Sequence, residues 1–245
     1  MINGLFMAFS MYTTIPMPQV KWEEKNFPFI IVYLQFVGLV IGLIWFLGIN
    51  IISNFNIPIT IKSALVCLIP LFLSGFIHID GYMDTCDAIF SRASLEKKYK
   101  ILKDSCVGAF AVIGLLIINV IYYVCIYEIL KQDKNITSLI FIPLFSRGIT
   151  SLFIIKVNPI SKEGFIANFK KDLNNKHFYT ILIILLMFLF LSYYFSILKI
   201  ILINILSCFI FATFCIKDLK GISGDLCGFI ITTSSLTSIL FLSIL

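Results

Sequence analysis

One histidine and three aspartates, His78, Asp80, Asp84 and Asp87, close an apolar run of membrane-spanning length, where charge is costly and usually functional. On a helix Asp80, Asp84 and Asp87 stand at i, i+4 and i+7, so their carboxylates share one face within reach of a common divalent ion. Three anions so placed repel one another, and something cationic must balance them. A hard, oxygen-seeking ion such as Mg²⁺ fits better than zinc, because one nearby histidine and no cysteine pair make a poor zinc site. His78 precedes the first aspartate by two positions, where an imidazole can act as general base or orient a carboxylate. Gly81, next to Asp80, admits either a phosphate or a packed helix close to the backbone. The competing account is a structural ion-pair network of the acids with Arg92 and the lysines beyond it.

More acids follow: Asp104 in Lys103-Asp-Ser105, and Asp225 in Gly221-Ile-Ser-Gly-Asp-Leu-Cys-Gly228. Such a density suits two Mg²⁺ ions clamping a pyrophosphate, one activating an attacking hydroxyl and the other stabilising the leaving phosphate. The glycine-rich turn leads into the last apolar run, and a helix N-terminus there, at Gly224, suits a phosphate or carboxylate. Arg147 lies within an apolar span after Pro143 and either neutralises an aspartate or binds an anion from the bundle interior. The seven cysteines, Cys67, Cys86, Cys106, Cys125, Cys208, Cys215 and Cys227, form no CxxC pair and read as reduced, mostly buried thiols.

The elements that position these residues follow from composition. Of 245 residues 60% are hydrophobic and 13% charged, with 25 phenylalanines, more apolar surface than a water-soluble domain can bury. Runs of about 20 residues, enough to cross the hydrocarbon core as helix, occur at 27–52, 57–77, 107–130, 136–157, 178–195, 197–216 and 226–245. The expected fold is therefore an all-α polytopic integral membrane bundle of about seven transmembrane helices, one domain over residues 1–245. The segment 1–18, interrupted by Pro16 and Pro18 and lacking a basic n-region, reads as a retained interfacial or re-entrant helix. In the first long connection Leu95, Tyr99 and Leu102 recur at helical spacing, with Glu96 and Lys100 spaced for a pair, which predicts a cytoplasmic amphipathic helix on the membrane surface. The net charge of +6 is not a nucleic-acid signal. Most of the 19 Lys and Arg residues fall on one side of a seven-span chain, which the positive-inside rule makes cytoplasmic, with every polar motif facing it.

Gly75-Phe-Ile-His-Ile-Asp-Gly-Tyr-Met-Asp-Thr-Cys-Asp-Ala-Ile-Phe-Ser, followed by Ile101-Leu-Lys-Asp-Ser-Cys-Val-Gly108 and the closing Gly221–Gly228 motif, resembles the cobalamin synthase family, adenosylcobinamide-GDP ribazoletransferase. The resemblance runs the length of the chain, through Thr-Ile-Pro-Met-Pro18, Arg147 and Glu163-Gly164. It implies the last assembly step of the nucleotide loop of vitamin B12: a hydroxyl of α-ribazole, or of its 5′-phosphate, displaces GMP from adenosylcobinamide-GDP, with Mg²⁺, at the inner face of a bacterial or archaeal cell membrane. It implies Asp80, Asp84 and Asp87 as metal ligands, Asp104 and Asp225 as further or supporting ligands, and His78 beside them in catalysis. Arg92, Lys103, Ser105, Arg147 and Gly224 become candidates for substrate contacts. The partners so implied are the two substrates and membrane lipid, with room for a homo-oligomer. The chain departs from the family pattern at Cys106 and Thr14, where family members usually carry arginine, and at Thr232 and Ser235, where glutamates are frequent.

Two rival functions use similar residues. A CDP-alcohol phosphotransferase also places aspartates and Mg²⁺ on membrane helices, but its longer signature is not matched by Asp80 to Asp87. A cation-coupled transporter carries intramembrane Asp and His; here the acids gather toward one side, and no inverted pair of broken helices is evident.

Overall fold

Within hydrocarbon no water is available to backbone N–H and C=O groups, so an apolar chain of this length satisfies them inside helices. The computed structural model, which describes residues 2–245, is built that way. Eleven α-helices follow in order: α1 (Ile2–Tyr12), α2 (Phe27–Ser53), α3 (Ile59–Leu73), α4 (Ile77–Phe90), α5 (Leu95–Ile101), α6 (Ala109–Lys131), α7 (Ser138–Lys156), α8 (Phe165–Lys170), α9 (Asn175–Tyr194), α10 (Leu198–Leu219) and α11 (Gly224–Ile244). The helices α2, α6, α7, α9, α10 and α11 are each long and apolar enough to cross a membrane. The pair α3 and α4 together has the length and apolarity of a seventh span, but is bent by 89° at the break between them.

That bend departs from the expectation of one continuous span at 57–77. α3 stops at Leu73 because Gly75 adopts a left-handed φ of 59°, and the Gly75 and Phe76 amides then bond back to the Phe72 and Leu71 carbonyls, the arrangement that terminates a helix at glycine. The segment after α1 satisfies carbonyls left over at this end: Thr14 donates its amide to Leu73 O at 2.9 Å and its hydroxyl to Phe72 O at 3.0 Å. The acids therefore ride on α4, a separate helix set across the end of α3.

The most enclosed helix is α7, every residue of which from Phe141 to Ser151 is buried. α2 lies directly against it because Gly38 and Gly42 present no side chain to the backbone of Pro143 and Ile140. α1, too short to cross, packs on the start of α2 through Met7, Ala8 and Phe9. The long connections gather at one end of the bundle. Residues 158–160 pair with Ile222 through Ile160 N to Ile222 O and Ile222 N to Asn158 O, both 3.0 Å. α5 docks on the end of α10, where buried Lys98 bonds both carboxylate oxygens of Asp218 at 2.6 and 2.8 Å and Tyr99 donates to Leu219 O. The i,i+4 pair expected between Glu96 and Lys100 is not among the ion pairs of the described residues; the docking of α5 turns on Lys98 instead. All seven cysteines are free, six of them buried and Cys106 exposed.

Candidate active site

α4 presents two faces. Its apolar face, with Tyr82, Cys86 and Ile89, is buried in the bundle, and Tyr82 stacks on Phe229 of α11 while its hydroxyl donates to Gly114 O of α6. The opposite face carries the acids. Asp80 is exposed, Asp84 is half-buried and Asp87 is only 7% exposed. Gly81 brings a fourth acid to them, since a Cβ there would lie 2.8 Å from the Cα of Asp225. Asp84 feels the charges of Asp80, Asp225 and Asp87, and none of the four pairs with a lysine or arginine among the described residues.

The four carboxylates differ in role. Both Asp87 oxygens are occupied by the start of α6, accepting from Gly108 N at 2.6 Å and Ala111 N at 2.9 Å. Asp87 thus caps a helix 21 residues downstream and offsets its N-terminal dipole. Asp225 accepts a 3.3 Å hydrogen bond from Ser223, the N-cap of α11. Among the described residues no three His, Cys, Asp or Glu side chains converge tightly enough to cage a metal ion. Mg²⁺ does not require such a cage: it keeps several waters and is held by one or two carboxylates together with substrate phosphates. Asp80, Asp84 and Asp225, all hard oxygen donors without a cationic partner, fit that mode of binding.

Beside Asp225 opens a cleft of about 460 Å³, lined by Lys103, Lys162, Glu163, Gly164, Ser223 and Gly224. It is walled by the pairing of 158–160 with Ile222, so two connections distant in sequence make one surface. Other expected site residues lie elsewhere. Asp104 and Ser105 are exposed, and Asp104 accepts from the Cys106 amide in its own loop. Arg92 lines a separate groove with Phe90, Phe110 and Ile113. His78 stands about 160° around α4 from Asp80, 8% exposed, stacked on Tyr12 and lining an internal cavity with Arg147.

The family model described as Cobalamin-5-phosphate synthase matches residues 4–243. The chain belongs to that family. Among curated relatives, an adenosylcobinamide-GDP ribazoletransferase of Clostridium botulinum (strain Alaska E43 / Type E3) is 38% identical over 94% of this chain and 92% of its own length. One of Clostridium perfringens (strain SM101 / Type A) is 35% identical over 99% and 98%, and one of Clostridium botulinum (strain Eklund 17B / Type B) is 41% identical over 72% and 70%. No solved structure matches.

As a cobalamin-5-phosphate synthase family member, the chain is a transferase, and its departures from the pattern have visible places. Thr14 caps α3, as described above. Cys106 is exposed beside Asp104. Thr232 and Ser235 line the internal cavity with Arg147, and Thr232 donates to the His78 carbonyl at 3.2 Å. Sequence reasoning passed over Ser223, Lys162 and Asp218. Ser223 carried a usable signal as the hydroxyl just before Gly224-Asp225, a helix N-cap position; Asp218 carried none, because its partner Lys98 is 120 residues away.

Proposed function

We propose that this chain joins α-ribazole, or its 5′-phosphate, to adenosylcobinamide-GDP and releases GMP, completing the nucleotide loop of cobalamin. The observation that carries the site assignment is the set of Asp80, Asp84 and Asp225, unpaired with any cation, beside a cleft that offers Lys103 and the first turn of α11. The acceptor hydroxyl bonds to the phosphorus on the cobinamide side, the phosphoanhydride breaks, GMP departs with the bridging oxygen, and the hydroxyl proton passes to a carboxylate of the cluster. Magnesium, when bound, supplies the charge neutralisation that lets an alcohol approach a diphosphate.

The chain's own residues do the rest. Asp80, Asp84 and Asp225 are the residues that would hold a magnesium ion, together with waters and substrate phosphates. Lys103, from the loop before α6, contacts a phosphate oxygen, and the free N–H groups of α11 around Gly224 face the same cleft. Asp87 acts through α6: by capping it, it sets the position of the α6 start relative to the acids. The carboxylates and the cleft lie at the basic end of the bundle, which the positive-inside rule places in the cytoplasm, the side on which a nucleotide-activated substrate is available.

Membranes containing the protein, incubated with adenosylcobinamide-GDP, α-ribazole and Mg²⁺, are expected to release GMP and form complete cobalamin, and EDTA is expected to abolish both. Product formation that persists at full rate in EDTA would remove the metal from the proposal. Absence of product from folded protein would remove the reaction. GMP release also separates this function from a transporter, which moves solute without consuming a nucleotide.

A further inference from the structure

Arg147 is 5% exposed in the most enclosed helix of the bundle. A guanidinium in such a place is costly unless an anion accompanies it. Its one hydrogen bond is a long 3.4 Å contact to Pro143 O one turn earlier, and its Nε has no partner among the described residues. No ion pair among the described residues involves it, and no aspartate or glutamate lines the cavity it faces. His78, 8% exposed, lines the same cavity, and its Nε2 is likewise unpartnered.

Most other polar groups in the wall are already engaged: Trp45 donates to Val66 O and Asn119 to Leu115 O. Ser74 donates to Leu71 O, Thr232 to His78 O, and Ser235 shares a hydrogen bond with Ser146. What remains to meet a ligand is the Arg147 guanidinium and the His78 imidazole, with the Tyr122 hydroxyl in the same wall. The cavity, about 90 Å³, is bounded by α2, α3, α4, α6, α7 and α11 and lies where the bent pair restarts as α4. Discontinuous membrane helices characteristically direct a half-helix N-terminus, with its partial positive charge, at an anionic group.

We infer that this cavity is an anion site in which Arg147 and His78 hold one phosphate-sized oxyanion at the break between α3 and α4, on the opposite face of α4 from the carboxylate cluster. The volume is enough for several waters or one such anion. That anion can come from a phosphorylated acceptor, from the headgroup of an anionic lipid, or from free phosphate.

The test uses full-length protein in detergent with EDTA present, titrated with inorganic phosphate at constant ionic strength and read by thermal unfolding. Wild type is expected to show saturable stabilisation. Arg147→Gln is expected to weaken apparent affinity about 30-fold or more, as for loss of a charge-assisted hydrogen bond. Ser235→Glu tests the same point while keeping Arg147, because its carboxylate occupies the cavity from within; it is expected to unfold no earlier than wild type yet show no phosphate response. No response in wild type, or an undiminished response in both variants, overturns the site. Two further arms name the source: α-ribazole 5′-phosphate against α-ribazole, and lipid nanodiscs with phosphatidic acid against phosphatidylcholine alone. The site is independent of the transfer reaction, since failure of GMP release leaves the phosphate titration intact.

Discussion

At the scale of single residues, acids that look alike in sequence part company in the structure. Asp84 stands one helical turn from Asp80 without a cation of its own, so Asp84→Asn removes charge where the diphosphate must be met. GMP release is expected to fall at least about 100-fold while membrane insertion and extraction stay normal; activity near wild type would sink the metal-binding role. Asp87 is different. Asp87→Ala strips two amides, Gly108 N and Ala111 N, of their acceptor, at a cost of about 1–3 kcal/mol for each buried group left unsatisfied. Its signature is a lowered unfolding temperature in detergent along with any loss of activity, whereas Asp84→Asn leaves that temperature unchanged or raises it by relieving repulsion. Cys86, fully buried against Gly114, has no chemical part in this site, and Cys86→Ala is expected to retain most activity. The equal spacing of Asp80, Asp84 and Asp87 was legible from the sequence, but the diversion of Asp87 to a helix cap was not, because its partners lie 21 and 24 residues away.

Among the helices, the contact between α4 and α11 builds the site. It depends on the absence of side chains: a Cβ on Gly81 would stand 2.8 Å from Asp225 Cα, and one on Gly228 would stand 2.7 Å from the His78 carbonyl. Backbone atoms cannot yield as a flexible side chain can. Gly81→Ala must therefore force α4 and α11 apart, with about 1–3 kcal/mol of destabilisation and loss of activity through displacement of Asp225. Gly224 offers the contrast. Nothing lies within 4 Å of a Cβ there, so Gly224→Ala is expected to unfold at the wild-type temperature; an equal loss of stability in both variants would show that the α4–α11 approach is not the constraint. The sequence identified Gly81 as either a phosphate-approach or a packing glycine, and the structure makes it the packing glycine that sets an acid in place.

For the whole molecule, charge distribution and exposure together make topology testable. Cys106 is the exposed cysteine, in the loop between α5 and α6 at the basic end. A membrane-impermeant maleimide is expected to label inside-out vesicles at Cys106 and to leave right-side-out vesicles unlabelled; the reverse pattern would invert the bundle. The sequence alone determined the membrane-crossing helices, because a chain in hydrocarbon must satisfy its backbone locally and apolar run length is then a direct measure of a crossing. It also determined that acids and glycines concentrate at 75–108 and 221–228, which sufficed to identify the family. Only the tertiary structure decided that the second apolar run breaks at Gly75 and that Arg92 lies outside the cleft holding Lys103. It also decided that His78 lines a cavity with Arg147, away from the aspartates beside it in sequence. The reason is physical: a helix's own hydrogen bonds join residues four apart, whereas what a polar side chain meets is set by helices packed against it from remote parts of the chain. In Lys98 and Asp218 that remoteness reaches 120 residues.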